Sequence, residues 1–115
     1  MRSARELGEP RGEEPSRSAR HAAMELLGQR WMLRVVWELE PGALGFLELR
    51  RRMGNCSSSM LSARLHTLQD AGLAVKRPDK SHELTPAGME LARALRPLWA
   101  WSDDWHASGA ERPRR

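Results

Sequence analysis

No part of this chain restricts its fold so tightly as Gly54 to Gly72, GNCSSSMLSARLHTLQDAG. Serine is a residue type that accepts a bond from the free N–H groups of a helix start, and Ser57 to Ser59 place three in a row. Leu61, Leu65 and Leu68 then recur at i, i+4 and i+7, one narrow apolar stripe on a helix. Gly72 supplies the left-handed residue that ends it. At 100° per residue, Ser59, Ser62, Ala63 and His66 lie opposite the stripe, with Ser58 and Arg64 on the flanks. That face is short, polar and nearly uncharged. Small hydroxyl side chains at a helix start approach base edges and phosphates without steric blockage, so the helix reads as one that enters DNA. Taken alone it fits an ordinary amphipathic surface helix equally well, and the neighbouring segments decide.

Those segments are basic. Arg50 to Arg77 holds six basic residues (Arg50, Arg51, Arg52, Arg64, Lys76, Arg77) against one acid, Asp70, whereas the 115 residues together carry a net charge of only +4. Charge so concentrated is the footprint of phosphate contact. The length suits one domain with a modest core, completed by a partner subunit. Residues 1–17 mix Arg, Glu, Gly, Pro and Ser with almost nothing to bury, and a disordered tail is expected there. The ordered domain is expected over 18–107, followed by a basic tail over 108–115.

Within the domain, a first helix is expected from Ser18 to Leu27, with Ala19, Ala22, Ala23 and Leu26 on one face. A second, from Gln29 to Glu40, carries Met32, Val35, Val36 and Leu39 inward and ends at Pro41-Gly42. A third, from Gly45 to Met53, buries Phe46, Leu49 and Met53. The turn Met53-Gly54-Asn55-Cys56 joins it to the serine-capped helix, which makes a helix-turn-helix. After Gly72 the pattern alternates. Leu73 and Val75 are expected inward and Ala74 and Lys76 outward, with a turn at Pro78 to Ser81 and a return strand from His82 to Leu84. This hairpin is a wing with Arg77 and Lys80 near its tip. Thr85-Pro86 then opens a last helix reaching His106, with Pro97 inside it. Its seam of Leu91, Ala94, Leu98, Trp101 and Trp105 has the 3,4 spacing of helix pairing. One chain has too little core to cover that seam. Two copies packed about a two-fold axis, joined by the Ala22/Leu26 face of the first helix, cover it. The fold class is therefore mainly α with a small β-hairpin: a winged helix-turn-helix, dimeric through its first and last helices.

The order of these pieces resembles the HxlR-type winged helix-turn-helix regulators, relatives of the MarR group. The resemblance covers Ala19 to Trp105 and is carried by Gly28-Gln-Arg-Trp31, Val35-Val-Trp-Glu-Leu39, Phe46-Leu-Glu-Leu49 and Ser57-Ser-Ser-Met-Leu61. Arg64-Leu65, Leu68, Ala71-Gly-Leu73, Arg77, Leu84-Thr85, Gly88 and Trp101 continue it. It implies a bacterial homodimeric transcription regulator, often a repressor, with its reading helix in the major groove and its wing on the flanking backbone. Three departures accompany it. Some members sense oxidants with a cysteine near the start of the first helix, where this chain has Ser18-Ala-Arg-His-Ala22. Gly45 stands where an arginine is usual, and the wing is short.

Double-stranded DNA and a second copy of the chain are thus the expected partners, with a small-molecule effector as a further one. Ser58, Ser59, Ser62, Ala63 and His66 are the base-facing candidates. Arg50, Arg51, Arg52, Ser57, Arg64, Lys76, Arg77 and Lys80 are the phosphate and wing candidates. Cys56 is assigned to packing rather than to thiolate chemistry at a helix start, and a lone cysteine fits a reducing cytoplasm. Asp103 and His106 share an i, i+3 spacing but no second ligand pair accompanies them, so no metal site is expected. The five tryptophans are read as core and dimer packing before an effector pocket. Nothing forms a catalytic set, and neither an enzyme, a cofactor nor a membrane segment is expected. The rival reading is a winged helix that binds protein or effector with little DNA affinity, supported by Gly45 and the short wing.

Overall fold

The computed structural model describes residues 13–109. Its elements run α1 (Glu13–Leu27), α2 (Met32–Leu39), α3 (Phe46–Arg52), α4 (Ser58–Asp70), β1 (Ala74–Lys76), β2 (His82–Leu84) and α5 (Pro86–Ala107). The chain divides into two compact units, residues 1–34 and 35–115.

In the first unit, α1 begins at Glu13 rather than Ser18, so the tail expectation fails for residues 13–17 and lies outside the described residues for 1–12. A proline in the first turn, Pro15, removes no N–H that a helix needs there, which is why this polar stretch can be helical. Ala22, Ala23 and Met24 are exposed and Leu26 is half-buried. At its end the Gly28 N–H donates to the Met24 carbonyl at 2.8 Å. A Cβ on Gly28 would sit 2.7 Å from that same oxygen. Trp31 then adopts φ +75°, and the Arg30 guanidinium lies 5.5 Å from its ring centroid. That left-handed residue halts the helical ladder, so α2 starts at Met32 instead of Gln29.

The second unit is built on the apolar faces read from the sequence. Val35, Val36 and Leu39 of α2, Leu49 and Met53 from α3 and its cap, and Leu61, Leu65 and Leu68 of α4 are all buried. Glycine and asparagine end α3: Gly54 (φ +74°) and Asn55 (φ +58°) donate back to the carbonyls of Arg51 and Arg50 at 3.1 and 2.9 Å. The same double bond ends α4, where Gly72 (φ +77°) donates to Gln69 and Leu73 to Leu68. Both are the paired motif that satisfies the last orphan carbonyls of a helix.

The wing pairs Ala74 with Leu84, Val75 with Glu83 and Lys76 with His82, antiparallel. Here the expected parity is reversed: Ala74 is buried and Val75 is 43% exposed. Leu73-Ala74-Val75 is a continuous apolar run, so the alternation carried no phase; the pairing of Ala74 with buried Leu84 sets it. Leu44 adds a bridge to the wing, exchanging both main-chain bonds with His82 at 2.9 and 2.8 Å. Sequence reasoning missed this third edge because one residue has no period.

Thr85 ties wing to helix. Its Oγ1 accepts from the Gly88 N–H at 3.1 Å and its hydroxyl donates to the Gly72 carbonyl at 2.7 Å. Helix α5 runs through Pro97 with two unlike faces. Gly88, Ala92, Leu95 and Trp99 are buried or half-buried. Along the seam, Leu91 and Trp105 are half-buried, while Ala94, Leu98 and Trp101 are exposed, the indole of Trp101 to 55%. Trp101 and Trp105 stack with centroids 5.3 Å apart and planes within 9°. Arg96 reaches Glu40, at the end of α2, with two donors at 2.8 and 2.5 Å.

Candidate nucleic-acid interface

The helix-turn-helix is α3, the Gly54-Asn55 turn and α4. Ser57 caps α4 by accepting from the Met60 N–H at 3.2 Å, and its hydroxyl also meets that of Ser59 at 3.1 Å. Ser57 is therefore first a structural cap. Beyond it Ser58, Ser59, Ser62, Ala63 and His66 are all exposed on α4, as the spacing required. His66 Nε2 lies 3.3 Å from Asp70, an exposed i, i+4 pair that draws the imidazole along the helix. Arg64 is half-buried.

The phosphate candidates separate into two kinds. Arg50 is half-buried, and its Nε–H donates to the Cys56 carbonyl at 2.5 Å, across the turn. Arg51 and Arg52 both pair with Glu48 of their own helix, the latter at 2.9 Å. Glu48 lies just outside the segment counted from the sequence, so the local positive charge is smaller than the count implied. At the wing, Arg77 donates to Glu83 at 3.0 Å and approaches Asp79. Asp79 accepts from the Ser81 hydroxyl at 2.6 Å and its N–H at 2.9 Å, and these bonds hold its carboxyl below the usual range. Lys76 and Lys80 are exposed, and Lys80 takes φ +73° at the wing tip.

Between α4 and the wing lies a groove of about 410 Å³. Ser62, Leu65, His66 and Gln69 line it from α4, and Lys76, Lys80 and His82 from the wing, with Phe46 at one side. The sequence gave no warning of His82. It is only 5% exposed, and its Nδ1 is buried without a hydrogen-bond partner. Burial, with Lys76 nearby, lowers its pKa, so the imidazole is neutral at pH 7. Cys56 is half-buried, and among the described residues no three metal-ligating side chains cluster. No described helix is long and apolar enough to cross a membrane.

Comparison with known proteins agrees with this geometry. An uncharacterised HTH-type transcriptional regulator of Mycobacterium tuberculosis is 37% identical over 89 residues, which are 72% of this chain and 56% of that protein. The chain thus spans just over half the length of that relative. YvaP of Bacillus subtilis, also an HTH-type transcriptional regulator, is 32% identical over 72% of this chain and 82% of its own. Among solved structures, quinone-bound YodB from B. subtilis superposes with a TM-score of 0.69 at 27% identity, covering 75% of this chain and 96% of that one. A possible HxlR family transcriptional factor from Thermoplasma volcanium gives 0.67 at 27%, covering 73% and 81%. Residues 26–110 match the HxlR-like helix-turn-helix family, and the chain belongs to that family of transcriptional regulators.

Proposed function

We propose that the protein is a sequence-specific, homodimeric DNA-binding regulator of the bacterial cytoplasm, acting as a repressor on a pseudo-palindromic operator. The carrying observation is the outer face of α4: five small or polar side chains, all exposed, on a helix capped by Ser57 and backed by three buried leucines. Ser58, Ser59, Ser62, Ala63 and His66 face the bases. Lys76, Lys80, Arg51, Arg52, Arg64 and Arg77 sit on the phosphate side, with Arg50 and Ser57 holding the turn and the cap. With no Arg, Asn or Gln among the base-facing residues, direct readout is modest and DNA shape contributes. The α5 seam, with Trp101 more than half exposed, and the exposed Ala22 of α1 support pairing with a second copy. Two-fold pairing sets the reading helices roughly 34–36 Å apart, one turn of the duplex.

One solved relative is described as quinone-bound and diamide-treated. The single cysteine here lies at the turn before α4, half-buried, and we assign it to packing. A second reading, a winged helix binding protein or effector with little DNA affinity, draws on the pairing of Arg51 and Arg52 with Glu48. Fluorescence anisotropy on genomic fragments, the protein's own promoter included, over a range of salt separates the two. The DNA reading expects log affinity to fall linearly with log salt. Affinity that is absent, or flat with salt, favours the rival.

A further inference from the structure

Positive charge on this face is mostly compensated, and the groove between α4 and the wing is where it is not. Glu48 takes up Arg51 and Arg52, and Glu83 takes up Arg77. Among the described residues Lys76 and Lys80 form no ion pair, and no carboxylate belongs to the groove wall. Two lysines facing a concavity hold a field that an anion satisfies. The wall is also partly apolar, through Phe46 and Leu65, and part of it is the buried imidazole of His82 with its unused Nδ1. The volume, about 410 Å³, falls in the range of small-molecule sites. A bare phosphate would leave most of that space and its apolar side unfilled.

We propose that this groove binds a small organic monoanion with a flat apolar body, an aromatic carboxylate in the simplest case. Lys76 and Lys80 hold the carboxylate, and Phe46 and Leu65 pack against the ring. A DNA phosphate would seek the same two lysines, so ligand and DNA exclude one another. That consequence rests on the DNA-binding reading; the site itself does not.

Titration of the full chain with 1-naphthoate, followed by backbone amide NMR shifts, tests the site, with 1-naphthalenemethanol and inorganic phosphate as the neutral and the minimal probes. Saturable shifts are expected at Gln69, Lys76, Lys80 and His82, with the acid binding about tenfold or more tighter than the alcohol. The double variant Lys76→Gln, Lys80→Gln alters two exposed side chains and should weaken 1-naphthoate by a similar factor while leaving the circular dichroism unchanged. No saturable shift up to millimolar acid overturns the proposal, as do equal binding of the alcohol, phosphate reproducing the shifts, or a variant that binds as well. Displacement of a bound genomic fragment by 1-naphthoate then supports the competition. Naphthoate binding without any DNA binding leaves the site standing and removes the DNA reading. DNA binding without naphthoate binding does the reverse.

Discussion

Arg50 and Cys56 are joined across the turn of the helix-turn-helix, the Nε–H of one donating to the main-chain carbonyl of the other at 2.5 Å. The bond ties α3 to the residue before the Ser57 cap, so it fixes where α4 starts. A charged donor on a partly buried carbonyl contributes more than an exposed ion pair, on the order of 1–3 kcal/mol. Arg50→Ala should therefore lower the urea midpoint by that stability and weaken all DNA sequences alike. Arg50→Lys discriminates: it keeps the charge but not the Nε geometry. Comparable destabilisation in Lys and Ala variants supports a structural arginine, whereas a fully stable Lys variant would make Arg50 mainly a phosphate contact.

Gly88 should not tolerate a side chain. In a helix Gly→Ala ordinarily stabilises by about 0.5–1 kcal/mol. Here a Cβ would stand 2.0 Å from the Leu73 carbonyl oxygen and 3.1 Å from Leu84 Cβ, so α5 would have to leave the wing. Gly88→Ala is expected to destabilise by ~2 kcal/mol or more, by overpacking against backbone. Thermal denaturation checks it, and a variant as stable as wild type refutes the close approach.

His82 makes stability depend on pH. Its folded pKa lies below the ordinary 6.5, so the unfolded chain binds the extra proton first as pH falls. Stability is fully present above about 6.5, decreases below it until the folded imidazole also protonates, and is then level. The slope in that window is at most ~1.4 kcal/mol per pH unit from this one group. His82→Leu, which also removes the unpartnered Nδ1, should flatten the curve between pH 7.5 and pH 5 in urea titrations. An unchanged slope would assign the dependence elsewhere.

Trp101→Ala separates a lone chain from a paired one. On one protomer the indole is 55% exposed, and truncating it should cost little. In a two-fold seam it is buried, and truncation of a buried Trp costs ~3–5 kcal/mol. Sedimentation equilibrium is expected to show wild-type dimer at micromolar concentration and a shift toward monomer in the variant, with weaker operator binding in parallel. A monomeric wild type, or a variant that stays dimeric, counts against the seam.

Much of this structure is legible in the residues. Leu61, Leu65 and Leu68, the Ser57 cap and Gly72 locate α4 because cap, stripe and terminator agree with one another. What escaped reading depends on tertiary pairing. The phase of β1 is set by Leu84, ten positions after Ala74, and the bridge of Leu44 to His82 by no local signal. The interface was legible as a set of residues but not as a charge distribution. Glu48 neutralises Arg51 and Arg52 only because three and four residues bring them onto the same helical face.

The stacked indoles of Trp101 and Trp105 give this chain an optical signature. It contains five tryptophans and no tyrosine, so its near-ultraviolet signal belongs almost wholly to indole. Two transitions held nearly parallel at 5.3 Å couple to each other, and that coupling decays steeply once the rings separate. Any event that parts or re-clamps the end of α5 should be visible in circular dichroism and emission without a label.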